Sequence, residues 1–227
     1  MTGGVILTEI GKIEKPEASR FSEKKKLYCV PNVYPLKDAP EEYQELFNAY
    51  WNEVAQQLEK LENIGKITKI FCENIYVQGD EALDVISKMN ERVFQIIKGK
   101  VEKGAVLLPI ETEEIFGSYM DWSSCLRIVR TKSVFDKIFA LYTENFNTRI
   151  EHILNVIESN LSEKEAGLLI IKDEDRTRLQ FPQDIEVFLV TPPSYDSILK
   201  WVRDKWREMY RTEESKEEED SVKEKSP

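Results

Sequence analysis

Two hydrophobic patterns alternate along this chain. The first is the short continuous apolar run: Leu27–Val30, Ile67–Cys72, Ala105–Leu108, Leu168–Ile171 and Ile185–Val190. Runs this short, closed in two cases by Pro31 and Pro109, read as strands buried on both faces. The second is recurrence every three or four residues. Tyr43, Leu46, Phe47, Tyr50, Trp51, Val54, Leu58 and Leu61 fall on one side of a helix, behind the start signal Asp38-Ala39-Pro40-Glu41. The same period predicts two short helices between Asp80 and Gly104 and a helix over 111–120 with a restart at Asp121. It also predicts a long helix over 133–161 and a last helix capped by Ser194.

Strand, helix, strand in that order, with more than 30 residues between the first two strands, predicts a parallel βαβ crossover. The expected fold is α/β: a mainly parallel sheet of four to five strands flanked by helices. The charged link at 172–184 reads as a hairpin turn with a short strand at 178–181, which would let the last strand run antiparallel. A helix over 133–161 would be ~43 Å long, more than a small sheet needs. Part of it is expected to lie against the helices of 111–130 or against a second copy of the chain. Residues 1–23 lack a period and read as a flexible lead-in. The single domain spans 24–210, and 211–227 reads as a disordered acidic tail.

Composition narrows the functional classes. The 227 residues carry a formal net charge of -10, which disfavours nucleic acid unless a basic patch is concentrated somewhere. Lys24–Lys26 and Arg127/Arg130/Lys132 are the two candidates, and both are short. No apolar stretch approaches a membrane span. The three cysteines form no paired motif and predict buried, reduced thiols and a cytoplasmic setting. The single histidine, His152, falls on the flank of the long helix, and one histidine cannot build a two-histidine metal centre. No catalytic residue, metal or cofactor is therefore assigned.

Binding residues follow from a topological rule. Open α/β sheets bind ligands beyond the carboxyl ends of their strands. Asn32 and Tyr34 follow the first strand, Glu73 the second and Glu111 the third. Arg149 projects beside the apolar stripe of the long helix, where an inward guanidinium needs a carboxylate or a bound anion. Glu73 and Arg149 could equally be a structural ion pair. These five residues form the candidate ligand site.

A first strand ending in a polar loop, a second ending in Glu73, and a long helix with Arg149 leading to Gly-Leu-Leu-Ile-Ile resemble the pheromone-shutdown (TraB-like) and erythromycin-esterase-like proteins. That resemblance implies metal-dependent hydrolysis built on histidines after the first and a late strand. Here those loops read Pro31-Asn32-Val33 and Lys172-Asp173-Glu174-Asp175, without histidine. Only Glu73 and Arg149 carry over, which implies a relative that has lost the metal. The sequence thus favours a non-catalytic domain that binds a small anionic ligand or a protein partner, a homodimer included. The alternative is a degenerate or carboxylate-based hydrolase.

Overall fold

The computed structural model describes residues 24–223; the N-terminal segment 1–23 and residues 224–227 lie outside the described residues. Five strands, β1 (Lys25–Pro31), β2 (Ile67–Cys72), β3 (Val106–Pro109), β4 (Ala166–Ile171) and β5 (Ile185–Leu189), form one sheet in the order β3-β2-β4-β1-β5. Every pairing is parallel. β5 therefore does not turn back. Its link from β4 holds a single helical turn, α6 (Asp173–Arg176), in place of the expected hairpin, and Leu179 inserts into the core. A parallel neighbour requires a crossover, and the buried Leu179 anchors it.

Alternation along the strands sorts the core into two layers. Tyr28, Val30, Ile70, Cys72, Leu168 and Ile170 face α1 (Glu41–Leu61), α2 (Gly79–Met89), α3 (Glu91–Val101) and α7 (Pro193–Lys223). Leu27, Cys29, Phe71, Leu169 and Ile171 face Ile150, Ile153 and Ile157 of α5 (Lys132–Asn160). Connections stepping from β1 towards β3 use the first face. Those stepping back through β4 to β5 use the second, as right-handed crossovers require. The direction reverses between the adjacent strands β1 and β4, so the carboxyl ends of these two strands flank the crevice where α/β sheets bind ligands.

α4 (Glu113–Ile128) is one helix rather than two, capped by Thr112, whose Oγ1 accepts from the Ile115 N–H. It has no buried residue and packs along α5. α5 runs antiparallel to the strands, and its buried residues begin only at Arg149. Residues 132–148 therefore rise past the carboxyl edge of the sheet, about 25 Å at 1.5 Å per residue. The α4–α5 hairpin is an arm. α7 continues to Lys223, across most of the stretch whose composition predicts disorder. Glu, Lys and Arg dominate there, and all three are good helix formers. Among the described residues, no helix is long and apolar enough to cross a membrane.

All three cysteines are free; Cys29 and Cys72 are buried, while Cys125 on α4 is half-buried. Burial pushes the Cys29 thiol up to about 12 and raises Cys72 as well, with Glu73 adding to the latter. A bulky thiol reagent at neutral pH is expected to label Cys125 first. Rapid native labelling of Cys72 would contradict the buried placement.

Candidate functional site

Asn32, Tyr34, Glu73, Glu111 and Arg149 all lie at the carboxyl edge, and the structure draws them into two linked groups. The first is built around Glu73, which is fully buried directly after β2. Its Oε1 accepts from Asn32 Nδ2 and from the Tyr34 hydroxyl, each at 2.8 Å, and its Oε2 accepts from the Lys172 N–H at 3.0 Å. Burial raises the Glu73 carboxyl above the usual carboxylate range, and these donors pull the other way. Burial, reinforced by the neighbouring Glu73 charge, raises the Tyr34 hydroxyl far above its usual value. A phenol so held is a donor, not a base.

The second group is built around Arg149, 1% exposed. Its Nε and one terminal nitrogen donate to Glu111 Oε1 at 2.9 and 2.6 Å, and the other terminal nitrogen donates to Asp175 Oδ2 at 2.7 Å. The Tyr119 ring of α4 lies 4.8 Å from the guanidinium carbon, a cation–π contact. Burial disfavours the guanidinium charge, but the attraction of Glu111 and Asp175 outweighs it and raises the Arg149 pKa. Arg149 pairs with these two carboxylates rather than with Glu73. Asn74 bridges the groups: its Nδ2 donates to the Tyr34 hydroxyl at 3.0 Å, and its main chain acts on Glu111. The segment from Lys172 to Asp175 touches both groups, one at each end.

Sequence reasoning missed Asp175 and Tyr119. Asp175 was hidden in an alternating charge run that reads as a solvated turn. The signal that marks it is Leu179, a buried apolar residue just after α6, which shows that this charged link folds inward. Tyr119 belongs to the apolar face of α4, which reads as packing.

Chemically the cluster is almost saturated. Every carboxylate in it has donors from its own chain. Asn32 Oδ1 and Glu111 Oε2 are the buried acceptors here without a hydrogen-bond partner, and a water would satisfy each. Among the described residues, no group of three or more His, Cys, Asp or Glu side chains is placed to hold a metal ion. His152 lies half-buried on α5.

Two cavities bear on function. One, about 530 Å³, is the concave corner between the arm and α6, lined by Phe139, Tyr142, Phe146, Glu174, Asp175 and Arg178 among others. The other, about 280 Å³, lies between α1 and α3, where Arg92, Lys100 and Lys103 meet over Trp51 and Ile96. Neither is lined by Asn32, Tyr34, Glu73 or Glu111. No family model, curated protein or solved structure matches the chain.

Removing one member of a buried ion group strands the others. Arg149→Met is expected to cost about 3–5 kcal/mol in chemical denaturation, because Glu111 and Asp175 stay buried without a counter-charge. Glu73→Gln is expected to cost roughly 1–3 kcal/mol, since an amide cannot accept from Lys172 on one side and from Asn32 and Tyr34 on the other. A loss below 0.5 kcal/mol in both variants (~ the scale of a neutral surface change) would contradict a structural role.

The Glu73 penalty also has a pH sign. Its raised pKa means the folded chain holds this proton more tightly than the unfolded chain. The stability this contributes is complete below the unfolded pKa and is lost as pH rises through the folded one. Denaturation free energies are therefore expected to separate wild type from Glu73→Gln more at pH 5 than at pH 8. A gap that does not widen on acidification would overturn the assigned direction.

Proposed function

We propose that this chain is a non-catalytic, cytoplasmic protein-binding domain, with the α4–α5 arm as its binding surface. One observation carries the reading: a 16-residue helix without a fully buried residue is paired with the first half of a 29-residue helix whose side chains are exposed or half-buried, Phe146 near its base being the one that packs against the core. Met120, Ile128, Val134, Phe135, Phe139 and Leu141 are all more than two-fifths exposed or close to it, Ile128 at 76%. Scattered apolar residues on a surface are ordinary, but a contiguous set on one projecting element marks an interaction site. Phe135, Phe139, Tyr142 and Phe146 stack in turn along the arm. They extend the stripe that α5 uses to cover the sheet, beyond the point where the sheet ends.

Against a carboxylate hydrolase stands the state of the acids. A general base needs a carboxylate or imidazole within reach of a substrate proton. Glu73, Glu111 and Asp175 are buried; Glu73 accepts through both oxygens from Asn32, Tyr34 and Lys172, and Glu111 and Asp175 each engage one oxygen with Arg149. In the resemblance to the TraB-like proteins, Glu73 and Arg149 would be the carried-over residues, and here both serve packing of the strand edge. Three free thiols agree with a reducing compartment.

A small anionic ligand has separate support in the α1–α3 groove. Arg92 donates there to the side-chain oxygens of Asn48 and Asn52, which are neutral, and Glu59 is the acid that lines the same groove. Lys103 stands beside it, and Lys100 is held by Glu62. Inorganic phosphate is expected to raise the melting temperature in a saturable way, and Arg92→Met is expected to abolish that rise. A rise that survives in the variant would remove the groove as an anion site.

The principal reading is tested by the arm's independence from the fold. Phe139→Glu is expected to shift the dilute-solution melting temperature by less than about 3 °C, the scale of a surface change. A drop of 10 °C or more (~ that of a lost core aromatic) would show that Phe139 is packing within its own chain, and the arm would lose its role as a binding surface.

A further inference from the structure

The arm also indicates its own partner. Resting on the reading of the arm as a binding surface, we infer that its occupant is a second arm, so that two copies of the chain pack their α4–α5 hairpins antiparallel about a two-fold axis.

The charge distribution carries the inference. The tip, residues 127–137, holds Arg127, Arg130, Lys132 and Lys137 against Asp136 alone. The root holds Glu113 and Glu114, with Asp121 and Glu144 midway along the arm, and the one cation of this lower part, Arg149, is buried and already paired. On a chain of net charge -10, a basic tip is a local reversal. A two-fold interface must be self-complementary, because each patch meets its counterpart on an identical surface. Antiparallel arms satisfy this: each basic tip meets the other's acidic root, twice over. Parallel arms would place tip on tip and repel.

The apolar surface fits the same arrangement. The tip carries Ile128, 76% exposed. At the root of the partner arm lies the corner of about 530 Å³ between α5 and α6, walled by Phe139, Tyr142 and Phe146 and edged by Glu174. Antiparallel packing brings Ile128 of one chain, with Arg127 and Arg130 beside it, to that corner of the other. Arg178 is the cation among the corner's lining residues that an incoming arginine must avoid, and Glu174 is the acid that receives it. The six strongly exposed apolar side chains offer on the order of 500 Å² per chain, judged from 150–250 Å² for a whole aromatic, against ~800 Å² for a standard interface. The half-exposed rings of Phe116, Trp122 and Tyr142 extend that area. Four helices packed this way make an antiparallel bundle, a standard solution for amphipathic hairpins.

Sedimentation velocity of the full chain across a concentration series tests this. The expected result is a monomer–dimer equilibrium. Phe139→Glu and Ile128→Glu should each weaken it by about tenfold or more, as loss of a central apolar contact does. The decisive set is a charge swap. Arg127→Glu with Arg130→Glu should weaken association about tenfold, Glu113→Lys with Glu114→Lys should do the same, and the four changes together should restore it. Circular dichroism keeps loss of fold apart from loss of association. A folded wild type that stays monomeric at the highest concentration overturns the dimer, while a neutral Phe139→Glu would still leave the arm as a surface for a different protein. A dimer indifferent to Ile128, Phe139 and the charge swap overturns the assignment of the arm as its interface. Failure of the fourfold variant to recover, when each pair alone weakens association, overturns the antiparallel arrangement.

Discussion

A single guanidinium joins the parts of this molecule that would otherwise be independent. Arg149 stands where α5 crosses the edge of the sheet, and it binds the loop after β3 through Glu111, α6 through Asp175, and α4 through the Tyr119 ring. A charge 1% exposed is tolerable only with partners this well placed, since desolvation alone would cost several kcal/mol. Three acids crowd this one guanidinium, and burial raises the carboxyls of two of them, Glu111 and Glu73, above the usual carboxylate range. Glu73 is held by three donors of its own. The strand edge that usually receives a ligand is here filled by the chain's own ions.

That occupancy explains where function has to be sought. Below Arg149, α5 is a core helix whose isoleucines cover one face of the sheet. Above it, the same helix is half of a solvent-facing arm. The sheet needs only the lower half, so the upper half and all of α4 have no role in covering it. Exposed aromatic rings such as Phe135 and Phe139, beyond the reach of the core, are costly to keep soluble. The proposed interface would cover them and account for the length of α5, while Arg149 and Tyr119 tie the arm to the edge of the sheet. The α1–α3 groove, on the opposite face, is independent of this system.

The elements were largely legible because their signals are local. Five apolar runs bounded by proline, glycine or charge became five strands, with the range of β2 unchanged. Tertiary context decided the exceptions. Asp121-Trp122-Ser123-Ser124 resembles a helix start, yet α4 passes through it because Asp121 faces solvent and the surrounding apolar residues keep their period. The 172–176 run is charged enough to look like a solvated turn. Only a parallel β5, which periodicity cannot foretell, forces it into a crossover and buries Asp175. For the site, an inward Arg149 was readable from its place on the helix stripe. Its partners were not, because Glu73 and Glu111 are equivalent acids at strand ends until the sheet order places β3 and α6 beside α5. The length of the 133–161 helix did announce that part of it would lie outside the sheet against the 111–130 segment, as α4 does; how much of the arm faces solvent was hidden, because a periodic apolar face looks the same whether a sheet, a neighbour or nothing covers it.

The claim on which the rest depends is that Arg149 and Glu111 act as one buried structural unit. A double-mutant cycle in chemical denaturation, using Arg149→Met, Glu111→Leu and the pair, measures this directly. The account predicts a coupling energy of about 2–3 kcal/mol, the upper range for groups in direct contact, with the double variant losing less than either single loss would suggest. A coupling near zero, with each single variant folded and as stable as wild type, would contradict it.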